Sequence, residues 1–256
     1  MLKPKNMSDY ESLLERIRQS PKQHLGQTSV SKIRSYTMGY DFARQFWGLP
    51  AVHNRLSWDK YREWQESKIH LCRQNLQSFC LLICDDEKQA FDLFFEFQDL
   101  ALEECRADLV IKEDLEAKNF DPATATKSRT LIDFILDKET IRKRPAMYFG
   151  NNQISGLWAM CNGFLWAEKD LGITDSSDAM NLELFQLWLD ERYPIAKGQT
   201  WDKLFYFEAL DYDSGAFEQF YENFEMFLEG KNSDAPPRWI ETVIENIKKN
   251  SKDQTE

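Results

Sequence analysis

Glycine and histidine are both scarce in this sequence, with 10 and 3 of 256 residues. So few glycines leave little material for glycine-rich phosphate loops or for the many tight turns of an all-β fold. No Ser-His-Asp or Cys-His pattern has a recognisable spacing, so nothing in the sequence places a catalytic base. We therefore expect a protein that is not an enzyme and that needs neither a cofactor nor a metal.

Long apolar segments are also missing. The longest runs, such as residues 79–84, fall far below the ~18–20 residues of a membrane-spanning helix. The first twenty residues lack the apolar core of a secretory signal. An odd number of cysteines, five, suggests free thiols in apolar surroundings. Together these features predict a cytoplasmic protein with no membrane partner.

Acidic residues outnumber basic ones by 43 to 32, which gives a formal net charge of −11. Binding to nucleic acid requires a basic face, so the charge argues against a nucleic-acid partner. It suits a protein whose partner is basic. Hydrophobic residues at 42% and aromatic residues at 14% exclude global disorder.

The chain matches itself at an offset of 124 residues. The segment Pro21-Lys-Gln-His-Leu-Gly26 aligns with Pro145-Ala-Met-Tyr-Phe-Gly150. The ungapped alignment continues through pairs of small residues: Ser31 with Ser155, Gly39 with Gly163, Ala43 with Ala167 and Gly48 with Gly172. After a two-residue insertion, Phe94 aligns with Phe220. We interpret the match as a tandem duplication.

The duplication divides the chain into four parts. These are a first helical repeat (1–104), a connector (105–128), a second helical repeat (129–230) and a polar tail with a C-terminal helix (231–256). Two copies of this length are too few and too long for a solenoid of stacked repeats. We expect two similar domains, or two halves packed about a pseudo-twofold axis.

Hydrophobic periodicity predicts helices almost throughout. In each copy the aromatic residues near the end recur at steps of three and four, as in Phe91, Phe94 and Phe97. Residues 76–84 and 201–210 remain ambiguous between a buried strand and a helix. The predicted fold is all-α, with about four helices in each repeat.

The shared proline and glycine positions have a structural interpretation. Proline disfavours helix at the residue before it, and the following glycine lets the chain turn. Glycine within a helix costs ~1 kcal/mol relative to alanine, which predicts close helix–helix approach at Gly39 and Gly163. The residues assigned to this structural motif are Pro21, Gly26, Gly39, Pro145, Tyr148, Gly150 and Gly163.

The segment Arg142-Lys-Arg-Pro-Ala-Met-Tyr-Phe-Gly150 resembles the opening of the ATPase domain of type II topoisomerase B subunits. That family carries a catalytic Glu and a magnesium-binding Asn on the next helix. Here Asn162 is present, but no Glu precedes it by one turn and no Asp-x-Gly-x-Gly segment follows. The resemblance therefore covers only about ten residues.

Both copies also resemble a helical module of immunity proteins from bacterial polymorphic-toxin, contact-dependent and type VI secretion systems. The second copy matches best, at Arg144, Pro145, Met147, Tyr148, Gly150, Ser155, Gly163 and Phe164. The first copy departs at Gln23 and His24. The resemblance implies an immunity protein that binds a cognate toxin and occludes its active site without catalysing a reaction.

Two sets of residues are candidates for binding a basic toxin such as a nuclease. Acidic clusters precede the aromatic helix of each copy, where they can also cap that helix. The acidic candidates are Asp85, Asp86, Glu87, Asp211, Asp213, Glu218 and Glu222. Trp58 and Trp239 have no counterpart in the other copy, and an exposed tryptophan is a good interface anchor.

Other functions stay open at this point. A non-enzymatic scaffold or regulatory protein-binding module is the main alternative to immunity, and an ATPase or hydrolase with an unfamiliar site is a third. His70, Cys72, Cys80 and Cys84 could be read as zinc ligands, but their spacing does not fit the common zinc fingers. A homodimer is also compatible with the sequence.

Overall fold

The computed structural model describes residues 10–69, 75–110, 114–149, 153–209 and 213–231. All regular secondary structure within these ranges is helical apart from one isolated bridge residue. The prediction of an all-α fold is therefore confirmed. Residues 76–83 and 201–208, which the sequence left ambiguous, are both helices.

The helices follow the same order in the two halves of the chain. The first half contains α1 (Tyr10–Gln19), α2 (Pro21–Leu25), α3 (Ser31–Phe46), α4 (Trp58–Ile69), α5 (Leu76–Ile83) and α6 (Glu87–Glu104). The short α7 (Leu115–Lys118) lies in the connector. The second half contains α8 (Leu131–Leu136), α9 (Pro145–Phe149), α10 (Ile154–Asp170), α11 (Ser177–Arg192), α12 (Trp201–Glu208) and α13 (Asp213–Lys231).

The expectation of about four helices per half is too low, since the described residues form six in each. The shared proline motif makes a short helix of its own, because proline at the first position loses no hydrogen bond. Pro21 begins α2, and Gly26 ends it with a left-handed backbone (φ +73°). Pro145 begins α9 in the same way, whereas Gly150 lies outside the described residues.

Helices α3 and α10 run parallel, side by side, at the centre of the molecule. Near their N-terminal ends, Ser35 of α3 faces Gly156 of α10: a Cβ added to Gly156 would lie 3.2 Å from Ser35 Oγ. At their C-terminal ends, Trp47 Nε1 donates to Glu168 Oε1 at 3.0 Å. The helices therefore remain in contact along their full length.

Two glycines allow the backbones of α3 and α10 to touch. A Cβ on Gly39 would stand 1.9 Å from the carbonyl oxygen of Met160, and one on Gly163 would stand 2.0 Å from that of Tyr36. No side chain fits at such distances, so glycine is required at both positions. The two contacts are equivalent, because the offset of 124 pairs Gly39 with Gly163 and Tyr36 with Met160. Such reciprocity is expected of two halves about a pseudo-twofold axis, while the duplication itself stays a prediction.

A single hydrophobic core runs through both halves. It joins buried side chains of the first half, such as Leu25 and Tyr36, to Phe164 and Phe205 of the second. The connector is bound to it as well, since Arg44 pairs with Asp114 at 2.7 Å. Additional buried ion pairs join Lys127 to Glu168 and Asp178. The two halves therefore share one core.

We expect Gly39→Ala to destabilise the protein by about 3 kcal/mol or more, because the added methyl group would push two backbones apart. Gly230→Ala is the matched control, since a Cβ there meets no atom within 4 Å. Its expected effect is a gain of up to about 1 kcal/mol from helix propensity. Urea unfolding of both variants measures the difference. Equal stabilities would contradict the close approach of α3 and α10.

Candidate functional site

A small cavity lies where the N-terminal ends of α3 and α10 meet. Its volume is about 330 Å³, and both central helices line it, through Ser31 and Lys32 on one side and Gln153 on the other. Glu87 at the start of α6 and Tyr206 near the end of α12 also line this cavity. Segments from both halves therefore converge at this end of the molecule.

Glu87 caps the N-terminus of α3 with its carboxylate. One oxygen accepts hydrogen bonds from the backbone N–H of Val30 at 2.8 Å and of Ser31 at 3.3 Å, and from Ser29 Oγ at 3.2 Å. The second oxygen accepts from Ser31 Oγ. Negative charge at a helix N-terminus is stabilising, because the free N–H groups there carry partial positive charge. Glu87 therefore has a structural role.

The three adjacent acids at the start of α6 have different environments. Asp86 is the N-cap of α6, and its carboxylate accepts from the backbone N–H of Gln89 at 2.8 Å. Asp85 is exposed and makes no hydrogen bond or ion pair to the described residues. Only Asp85 thus has both carboxylate oxygens available for a partner.

The remaining predicted binding residues are exposed on other helices or lie outside the described residues. Glu218 and Glu222 are exposed and lie one turn apart on α13. Trp58, at the start of α4, is 68% exposed and packs edge-on against Tyr61. Asp211, Trp239 and the side chain of Asp213 lie outside the described residues.

Exposed apolar side chains stand at the C-terminal ends of α5 and α12. Leu82 and Phe207 are each 77% exposed, Ile83 is 53% exposed and Tyr206 is 40% exposed. The offset of 124 pairs Leu82 with Tyr206 and Ile83 with Phe207. We call Leu82, Ile83, Asp85, Tyr206 and Phe207 the helix-end surface. Tyr206 lines the cavity between α3 and α10, and Asp85 lies two residues before Glu87, which lines the same cavity.

Sequence reasoning missed this surface because apolar residues at the end of a short apolar helix are expected to be buried. The available signal was the composition of residues 79–84, which contain no charged side chain. A surface helix normally carries polar residues on one face. The structure shows that α5 instead leaves three consecutive apolar residues, 81–83, exposed.

A buried ion pair lies beside the cavity and joins the two halves. Lys32 Nζ contacts Asp202 Oδ2 at 3.3 Å, and it also lies 5.0 Å from the centre of the Trp158 ring. Asp202 Oδ1 is buried without a hydrogen-bond partner. Since removal of either charge would leave the other buried alone, the pair holds α12 against α3.

The described residues contain no group of three or more histidine, cysteine or acidic side chains that could hold a metal ion. His24 is buried, and its Nδ1 lies 2.8 Å from the hydroxyl oxygen of Tyr36. Burial lowers the pKa of His24 to about 4. Burial raises the pKa of the Cys80 thiol to about 12. Two of the four residues considered as zinc ligands, His70 and Cys72, lie outside the described residues.

Tyr148 and Asn162, two residues considered in the comparison with the ATPase family, both pack against or hydrogen-bond to other parts of the fold. The side-chain amide of Asn162 donates to the backbone carbonyls of His24 at 2.5 Å and Gln23 at 3.3 Å. Tyr148 packs edge-on against Phe134, with ring centres 5.5 Å apart. Asn162 thus joins α10 to α2, because its side-chain amide donates hydrogen bonds to backbone carbonyls of α2.

The chain matches no known family model, and neither curated proteins nor solved structures give a match. Among the described residues, no helix combines the length and apolar character required to cross a membrane. Function must therefore be argued from the surfaces and cavities of this structure.

We expect Glu87→Ala to destabilise the protein by about 1–3 kcal/mol, because it leaves the N-terminus of α3 uncapped. Asp85→Ala removes a neighbouring acid with no partner and should change stability by less than about 0.5 kcal/mol. Urea unfolding at neutral pH measures both variants. If the two substitutions cost the same, Glu87 is not the cap of α3.

Proposed function

We propose that this protein is an immunity protein, a non-catalytic inhibitor that binds a basic bacterial toxin through the helix-end surface. The observation that carries the proposal is the set of exposed apolar side chains at equivalent positions of the two halves, beside the unpaired carboxylate of Asp85. The resemblance of both copies to immunity modules supports the same function.

Exposed aromatic and aliphatic residues at the ends of α5 and α12 favour a protein partner. Contiguous apolar surface is unfavourable in water and is commonly covered by another protein. Large side chains such as Phe207 and Leu82 bury much area on binding, and aromatic residues are frequent among those that dominate affinity. The helix-end surface thus has the composition of an interface centre.

The charge of the chain favours a basic partner. Its formal net charge is −11. Asp85 lies two residues after Ile83, and Glu218 and Glu222 are exposed on α13, the helix that follows α12. Such a distribution accelerates association with a cationic protein and disfavours acidic ones. A toxin that acts on nucleic acid has a basic substrate groove, and this surface would cover it.

The contribution of both halves fits inhibition by steric occlusion. Helix α12 belongs to the second half and lines the cavity through Tyr206, whereas α5 belongs to the first half and precedes α6, whose Glu87 lines the same cavity. A partner bound across the ends of α5 and α12 would contact both halves of the chain. Because these elements are already positioned, binding would need little rearrangement of the chain.

The test is co-expression with the gene immediately upstream. We expect that gene alone to arrest growth, co-expression to restore it, and the two products to purify as a stable complex. A harmless neighbour that does not bind would contradict the immunity proposal. The chain would then be better regarded as a scaffold or regulatory binding module.

The surface itself is tested with the double variant Leu82→Ser and Phe207→Ser. We expect at least a 100-fold loss of affinity for the toxin, because the two most exposed apolar side chains are removed. Met180→Ser is the matched control, since Met180 is an exposed apolar residue of α11 outside the surface. Calorimetric titration measures affinity, and thermal unfolding shows that the variants are folded. Unchanged affinity in the double variant would place the interface elsewhere.

A further inference from the structure

A second and larger cavity lies entirely within the first half of the chain. Its volume is about 630 Å³, within the range of small-molecule sites. Helices α1, α3, α4, α5 and α6 and the loop before α4 surround it. Aromatic side chains form much of its wall: Tyr10, Trp58, Tyr61 and Phe94.

Two hydrogen-bond acceptors in this cavity lack donors. Asp41 Oδ1 accepts from the backbone N–H of Val52 at 2.8 Å, but Oδ2 has no hydrogen bond among the described residues. Asn54 Oδ1 is buried and has no hydrogen bond. By contrast, both oxygens of Glu11 accept from the backbone N–H of Arg55 at 3.1 Å. Asp41 Oδ2 and Asn54 Oδ1 are therefore two acceptors of the cavity that remain open to a donor.

Burial makes the Asp41 carboxylate costly to keep charged. Its pKa is raised to about 6, mainly because desolvation disfavours the ionised form. At neutral pH the group is nonetheless mostly ionised, without an ion-pair partner in contact. The charge of Arg44 lowers this pKa without an ion pair in contact, and a carboxylate with a perturbed pKa on a cavity wall is a candidate binding group.

Three polar residues of the cavity wall have apolar or aromatic residues at the corresponding positions of the second half. The offset of 124 places Leu165 opposite Asp41 and Cys161 opposite Thr37, and the insertion places Phe224 opposite Gln98. Phe224 packs against Phe185, with ring centres 4.8 Å apart. At the position of Gln98, the second half thus has an aromatic ring packed in its core, where the first half has a polar side chain on the cavity wall.

We propose that the cavity of the first half binds an organic cation, an amidinium or ammonium group attached to a flat apolar body. Asp41 Oδ2 and Asn54 Oδ1 would accept hydrogen bonds from the cationic group, and the aromatic walls would contact the body. This site is separate from the helix-end surface, and the proposal does not depend on the immunity function.

Arg34 limits which cations fit. It lines the cavity two helical turns before Asp41, about 10.5 Å along α3, and has no ion-pair partner among the described residues. A second positive charge on the ligand would be repelled there. The geometry favours a single cationic group at the Asp41 end and a neutral or anionic group at the Arg34 end.

The test uses three compounds of nearly the same shape: benzamidine, benzamide and benzoate. We expect benzamidine to bind the full chain at least 10-fold more tightly than either benzamide or benzoate in calorimetric titrations at neutral pH. Equal binding of the three, or no binding of benzamidine at millimolar concentration, would overturn the proposal.

Variants locate the binding site. Asp41→Asn should weaken benzamidine binding at least 10-fold, whereas Asp85→Asn makes the same change in net charge at an exposed acid and should leave binding unchanged. Asp41→Asn should also raise Tm by about 3–6 °C, because a costly charge is removed. A fully retained affinity in Asp41→Asn would contradict the assignment.

A second variant fills the cavity without changing charge. Gln98→Phe introduces the residue found at the equivalent position of the second half, and we expect it to abolish benzamidine binding while circular dichroism remains that of the folded protein. Binding that survives Gln98→Phe would place the ligand elsewhere.

Discussion

The structure depends on the direct contact between the backbones of α3 and α10. Gly39 and Gly163 bring each helix against a carbonyl oxygen of the other, at Met160 and Tyr36, at a distance that excludes any side chain. Because the helices lie parallel, their N-terminal ends come together, and so do the elements attached there. The small cavity between the halves and the flanking ends of α5 and α12 follow from this arrangement.

Parallel packing of two helices also creates an electrostatic requirement. Two adjacent N-termini present partial positive charge to each other, which is unfavourable unless anions lie nearby. Glu87 supplies a carboxylate at the N-terminus of α3, and the buried pair of Lys32 and Asp202 lies beside it. Part of the acidity of this chain therefore stabilises the fold, and only the acids left unpaired, such as Asp85, are available to a basic partner.

The two halves have equivalent helices but different interiors. In the second half, Phe185, Phe220 and Phe224 pack as a cluster of rings. In the first half, Gln98 lines an open cavity at the position that corresponds to Phe224, and Asp41 lines it at the position that corresponds to Leu165. This difference fits the predicted duplication, since one half can supply stability while the other tolerates an unpaired charge. We infer that the first half is specialised for binding a small ligand.

The sequence by itself determined the helical fold class, the pairing of positions at an offset of 124 and the requirement for glycine at residues 39 and 163. These depend on local periodicity and on the cost of glycine within a helix, which a single sequence shows. It did not reveal the extra short helices, the structural role of Glu87 or the exposure of Leu82 and Phe207. Those were decided by the tertiary structure, because each depends on which distant residues pack against it. Glu87 is committed to Val30 and Ser31, 57 and 56 residues away, and α5 and α12 keep their apolar ends exposed since no described element covers them.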